Sequence, residues 1–104
     1  MSVELKKRVY VPNLGPHDYS KAWDFGDLVF CTEGQVNRKD LRTMLSHMEL
    51  AMEDAEDRDY ILMNGLTSLC VVACSLFVHK FGKLNILMFE DGEYLEKVLT
   101  FDNP

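Results

Sequence analysis

Positive charge is scarce in this sequence. Lys and Arg number 11 against 17 Asp and Glu, giving a formal charge of −6. A field of that sign opposes duplex DNA, whose phosphates call for clustered cations, and it opposes anionic lipid surfaces for the same reason. Long apolar runs are also missing. The most apolar stretch, Leu66 to Phe81, is shorter than the roughly 20 residues that span a bilayer. No hydrophobic segment follows Lys6, Lys7 and Arg8, so a secretory signal is not expected. Cysteine is limited to three residues, an odd count that suits no closed disulfide framework. Cys70 and Cys74 sit inside the apolar stretch, as free thiols of a reducing compartment do. These absences together lead to the expectation of a soluble, cytoplasmic chain that engages neither duplex DNA nor a membrane. Gly-x-Gly-x-x-Gly and the phosphate loop ending in Gly-Lys-Ser/Thr are both lacking. ATP hydrolysis and dinucleotide binding therefore have no support, and no cofactor is expected.

What is present suits one α/β domain over residues 1–104. Apolar residues make up 47% of the chain, enough for a single modest core. Arg8-Val9-Tyr10-Val11 reads as a strand closed by Pro12, and Asn13-Leu14-Gly15-Pro16 as a turn. His17 to Phe25 suits a short helix stopped by Gly26, and Asp27 to Cys31 a second strand. The clearest helix follows a polar loop. Asn37 is placed to cap it, and Leu41, Met44, Leu45, Met48, Met52 and Ala55 recur at helical spacing. Asp59 to Met63 is a third strand, broken by Asn64-Gly65. Thr67 or Ser68 opens a helix that reaches Phe81 and stops at Gly82. Leu84 to Phe89 is a fourth strand, and Asp91-Gly92 a hairpin signal leading to an antiparallel fifth strand from Tyr94 to Phe101.

The order is βαβαβαββ. Alternation of this kind implies a mostly parallel sheet with right-handed crossovers and an antiparallel C-terminal hairpin strand. That is a small three-layer domain, Rossmann-like or flavodoxin-like, with either strand order open.

Ligands of such sheets bind beyond the carboxyl ends of the strands, and there the polar residues concentrate. The three loops offer Asn13, His17, Asp18 and Tyr19, then Glu33 and Arg38, then Asn64, Gly65, Thr67 and Ser68. A helix start presents outward-pointing N–H groups and the positive end of the helix dipole, which attract anions. Arg38, Thr67, Ser68 and the Gly65 backbone are the expected anion holders, with Asn13, Tyr19 and Asn64 orienting the rest of the ligand. Capping by Thr67 or Ser68 alone would explain the same residues. From Tyr60 to Phe89 the chain partly resembles the ligand-binding half of CRISPR-associated Rossmann-fold nucleotide sensors. Asn64, Gly65, Thr67 and Ser68 stand where those proteins carry an Asn-x-Thr-Gly-Gly-Thr type of loop before an alanine-rich helix. The second glycine and the basic residue after it are missing here. The resemblance implies a nucleotide-like ligand.

Two further chemistries are open on residue type alone. His17, Asp18 and Glu33 could serve as acid and base of a small hydrolase, or simply start a helix and face solvent. Cys31, Cys70 and Cys74 match no zinc spacing, so small apolar filler is the expected role and no metal site is expected.

Partners are suggested by two surfaces. The helix over residues 68–81 is apolar nearly all round, which predicts a homo-oligomer built on it, unless other elements of the same chain cover it. Glu53, Asp54, Glu56 and Asp57 crowd the end of the preceding helix. They form either a solvated face or a surface for docking on a basic protein partner. A short acidic chain without catalytic motifs has the build of many viral or mobile-element accessory and inhibitor proteins. The first expectation is a non-enzymatic domain holding an anionic nucleotide-like molecule, and the alternative is such a partner-binding protein.

Overall fold

A computed structural model describes residues 6–34 and 40–101. Five strands form one sheet: β1 (Arg8–Val11), β2 (Asp27–Phe30), β3 (Tyr60–Leu62), β4 (Lys83–Glu90) and β5 (Glu93–Thr100). Their spatial order is β2-β1-β3-β4-β5. β1 pairs in parallel with β2 and β3, β3 in parallel with β4, and β4 antiparallel with β5. This settles the order left open by the sequence in favour of the flavodoxin-like arrangement.

Two helices cover one face. α1 (Leu41–Ala51) and α2 (Thr67–Phe81) bury Met44, Met48, Leu69, Ala73 and Phe77 against Tyr10, Ile61 and Leu84 of the sheet. Strand alternation sends Val9, Val11, Tyr60, Leu62 and Leu87 to the opposite face, where Tyr19 and Ala22 cover them. The layer there is thin. The expected helix over His17–Phe25 is a five-residue 3-10 helix, Ser20–Asp24, with bonds from Ala22 N–H to the Tyr19 carbonyl and from Phe25 N–H to the Ala22 carbonyl. A Cβ at Gly26 would collide with the Lys7 carbonyl oxygen, and that same carbonyl accepts the Asp27 N–H that starts the β1–β2 ladder (3.0 Å).

α1 departs from expectation at both ends. Its N-cap is Asp40, whose carboxylate accepts the Thr43 N–H (3.0 Å) and the Thr43 hydroxyl proton (2.7 Å). Asn37 lies outside the described residues. The helix ends at Ala51 rather than Ala55, and tight turns carry the chain through Met52 to Ala55. Carboxylates at this terminus oppose the helix dipole. Lys80 supplies the compensating charge, its Nζ donating to the carbonyls of Glu53 (3.1 Å) and Ala55 (3.3 Å). Of the helical stripe, Met44, Met48, Met52 and Ala55 are buried, whereas Leu41 and Leu45 face outward.

Asp59 belongs to the acidic run in sequence but not in space. It is 1% exposed, and its carboxylate accepts the N–H groups of Arg8 and Glu56, each at 2.8 Å. Asn85 of β4 donates to the carbonyls of Asp57 (2.7 Å) and Asp59 (2.9 Å). The loop between α1 and β3 is thus held rigidly, while the side chains of Glu53, Asp54, Glu56 and Asp57 remain exposed.

α2 uses its apolar circumference mostly within the chain. Leu69, Cys70, Ala73 and Phe77 are buried, Val72 and Leu76 pack partly against the same core, and Val71 remains 57% exposed. Gly82 closes it in the left-handed conformation. The β4–β5 hairpin turns at Asp91 (φ 51°) and Gly92 (φ 82°), both left-handed as a two-residue turn of this kind requires.

Candidate functional site

From β1 the chain passes to β2 on one side, then through α1 across to β3 on the other. The carboxyl ends of β1 and β3 therefore flank the reversal point, where open parallel sheets bind their ligands. The loops after these two strands are joined there. The Tyr19 hydroxyl oxygen accepts from the Gly15 N–H (3.1 Å) and from Asn64 Nδ2 (3.0 Å). Its ring packs edge-on against Phe30, with centroids 5.4 Å apart.

The loops after β1 and β2 are joined as well. Leu14 N–H donates to the Thr32 carbonyl (2.8 Å). The Thr32 hydroxyl lies 2.8 Å from the Pro12 carbonyl and 2.9 Å from Asn13 Oδ1. Asn13 Nδ2 reaches the Gly34 carbonyl at 3.4 Å. The sequence-predicted Asn13 is therefore occupied in holding two loops together. Glu33 forms an isolated bridge with Leu14, and Arg38 lies outside the described residues.

A cleft of about 460 Å³ opens beside the Tyr19–Asn64 junction, lined by His17, Asp18, Lys21, Leu62, Met63, Asn64, Gly65, Phe89, Gly92 and Tyr94. It gathers four of the expected residues, His17, Asp18, Asn64 and Gly65. Tyr19 stands behind its wall as the residue that orients Asn64. Glu33 does not line it, so the histidine and the two acids are not assembled as one acid–base group. Asp18 is held below the usual carboxylate range by the N–H and hydroxyl of Ser20, with Lys21 adding to the effect. Its Oδ1 accepts that N–H at 2.9 Å.

The third loop delivers an open helix start. Leu66 is the N-cap of α2, and no side-chain hydrogen bond caps the helix. Neither Thr67 nor Ser68 performs the capping that their residue types suggest. The first intrahelical bond runs from the Cys70 N–H to the Leu66 carbonyl (3.2 Å), so the N–H groups of Thr67, Ser68 and Leu69 have no partner within the helix. Gly65, the lining residue that leads into this turn, has φ 72°, and a Cβ there would meet nothing within 4 Å. The cleft wall is open at that point. Among the described residues, Asn64 Oδ1 and the Ser68 hydroxyl are buried without a hydrogen-bond partner.

Four lining residues are not among those the sequence singles out for a site. Lys21 sits on the 3-10 helix, and its Nζ donates to the Gly92 carbonyl at 2.6 Å. Phe89, Gly92 and Tyr94 belong to the β4–β5 hairpin. The available signal was topological: an antiparallel fifth strand puts its turn at the carboxyl edge of the fourth, beside the three loops already singled out.

The thiols are poorly suited to nucleophilic chemistry. Burial pushes Cys31 up to about 12. Burial, with Cys70 adding to it, pushes Cys74 up to about 11, so both are protonated at neutral pH. Cys70 is raised by burial too, and its S–H donates to the Asn64 carbonyl (3.2 Å). Among the described residues no three His, Cys, Asp or Glu side chains are grouped to hold a metal ion, and no helix is long and apolar enough to cross a membrane.

Residues 6–101, nearly the whole chain, match the model of the phage Pam3 gp32-like protein family. The chain belongs to that family. No curated protein and no solved structure matches it. For this phage-family member the cleft at the carboxyl edge is the place where residues from separate elements converge: the 17–21 segment, the loop after β3 and the β4–β5 hairpin.

Proposed function

We propose that this phage-family domain is a non-enzymatic binding module that holds a small anionic, nucleotide-like molecule in the carboxyl-edge cleft. The observation that carries the reading is the uncapped start of α2, reached from the cleft through Gly65. Unpaired N–H groups at the positive end of a helix dipole favour an anion. Lys21 lines the same cleft and adds a positive charge to it. The buried, unpartnered Asn64 Oδ1 supplies an acceptor for a ligand N–H or O–H. Titration calorimetry with 5′-mononucleotides tests the reading. Saturable binding, weakened about 10-fold or more by Lys21→Glu in a protein that keeps its circular dichroism, is expected. Absence of heat and of any shift in melting temperature at millimolar ligand would overturn it.

A partner-binding role is the second reading, favoured by the rigid loop after α1. Its backbone is fixed by Asp59, Asn85 and Lys80, so Glu53, Asp54, Glu56 and Asp57 present a preformed acidic surface to a basic protein partner. Reversing Glu53, Asp54 and Asp57 to lysine should abolish capture of such a partner while leaving mononucleotide affinity intact. A homo-oligomer is proposed as well, with a second copy covering the outward side of α2 at Val71; sedimentation velocity distinguishes monomer from dimer.

A further inference from the structure

The cleft has an apolar wall as well as a polar one. Phe89 and Tyr94 are direct cross-strand partners in the β4–β5 register. Their ring centroids lie 5.0 Å apart at an interplanar angle of 45°. Phe89 is 57% exposed although it lines the cavity. Both rings fall on the face that the 3-10 helix covers thinly, and that helix is too short to reach over Phe89. Tyr94 is half-buried, and burial raises its phenol above the ordinary value, with Asp18 adding to the effect. The hairpin end is also tied down, because Lys21 Nζ fastens the Gly92 carbonyl. The aromatic wall is therefore fastened to the 3-10 helix that lines the same cleft.

We propose that this wall is a stacking platform, with Phe89 as its principal residue, for the base of a 5′-mononucleotide whose phosphate lies towards Gly65 and the start of α2. The proposal rests on the anion-binding reading of the same cleft and adds the ring-binding subsite to it. A large exposed aromatic in the same cleft as Gly65, the residue that leads into α2, fits a ligand that is flat and apolar-faced at one end and charged at the other. Nucleotides have that build; simple sugar phosphates and inorganic anions do not. The stacking contact is tolerant of base identity, since every base offers a π-face. Asp18, with one carboxylate oxygen engaged by Ser20, also lines the cleft, where its other oxygen can accept a ribose hydroxyl proton.

The test is calorimetry of the full chain with the 5′-mononucleotides of adenine, guanine, cytosine and uracil, and with ribose 5-phosphate. The proposal expects each mononucleotide to bind about 10-fold or more tightly than ribose 5-phosphate, with purines ahead of pyrimidines. Phe89→Ala should bring the mononucleotides down to the level of ribose 5-phosphate, which itself should be unaffected. Phe89→Trp should restore the difference, which a merely structural role of Phe89 would not predict. Equal affinity for all five compounds, unmoved by Phe89→Ala, would overturn the stacking subsite and leave the anion site standing. Failure of all five to bind the unaltered protein would remove both.

Discussion

Asn64 and Tyr19, 45 residues apart in the chain, meet at 3.0 Å, with the amide Nδ2 donating to the phenolic oxygen. The contact ties the loop after β3 to the loop after β1 at the point where the strand order reverses. It gives the cleft a fixed back wall and leaves Asn64 Oδ1 unpartnered.

Tyr19→Phe removes the hydroxyl while keeping the ring that packs on Phe30. The Gly15 N–H and Asn64 Nδ2 then lose an acceptor. Loss of about 1–2 kcal/mol of stability is expected from urea denaturation. Mononucleotide affinity should fall at the same time, because Asn64 is no longer oriented. Affinity unchanged within error would show that Asn64 takes no part in the site.

The alkaline limb of stability should follow the half-buried thiols. Cys31 and Cys74 stand at about 12 and about 11 when folded, against an ordinary value of 9.0. A folded pKa above the unfolded one means that the native state holds the proton more tightly. The associated stability is fully present below the unfolded value and is lost as pH rises through the folded values. Tyr10, raised chiefly by burial, acts in the same direction at higher pH. Urea midpoints should fall between about pH 9 and about pH 12, and Cys31→Ala with Cys74→Ala should flatten that fall. A midpoint constant over this range would contradict the burial of these groups.

Asp59→Ala is expected to cost about 3 kcal/mol or more, because the Arg8 and Glu56 N–H groups both lose a charged acceptor in a buried place. Asp59→Asn offers one oxygen where two donors need one each, so it should fall between the wild type and the alanine variant. Denaturant unfolding of the three proteins checks the order.

Gly26→Ala should destabilise by about 2 kcal/mol. The new methyl group must displace the Lys7 carbonyl, the acceptor of the Asp27 N–H at the start of the β1–β2 ladder. Hydrogen exchange localises the effect: faster exchange at Asp27 and Leu28, with the amides of α2 unchanged, is the expected pattern.

Much of the fold was legible because its signals are local. Gly82 and Asp91-Gly92 stop a helix and turn a hairpin by backbone conformation alone, and Met44, Met48 and Met52 mark the buried side of α1 by spacing. Strand order was not legible, since nothing in the residues of β2 says on which side of β1 it lies. Asp59 read only as the first residue of a strand just after the acids Glu53, Asp54, Glu56 and Asp57, because its burial depends on Arg8 and Asn85, both far away in sequence. The candidate site was half visible. His17, Asp18, Asn64 and Gly65 announced themselves as polar residues after strands. Lys21, Phe89 and Tyr94 did not, since a lysine on a short helix and two aromatics in a hairpin have ordinary reasons to be there. Only the folded arrangement makes them walls of one cleft.

The central claim, an anionic ligand held at the carboxyl edge of the sheet, is tested most directly by an amide-resolved NMR titration of the full chain with adenosine 5′-monophosphate. The account predicts saturable shifts at Gly65, Thr67 and Ser68 and at the Lys21 and Gly92 amides, with the Asp57 and Asp59 amides at the opposite edge unmoved. Shifts confined to other surfaces, or none at millimolar ligand, would contradict it.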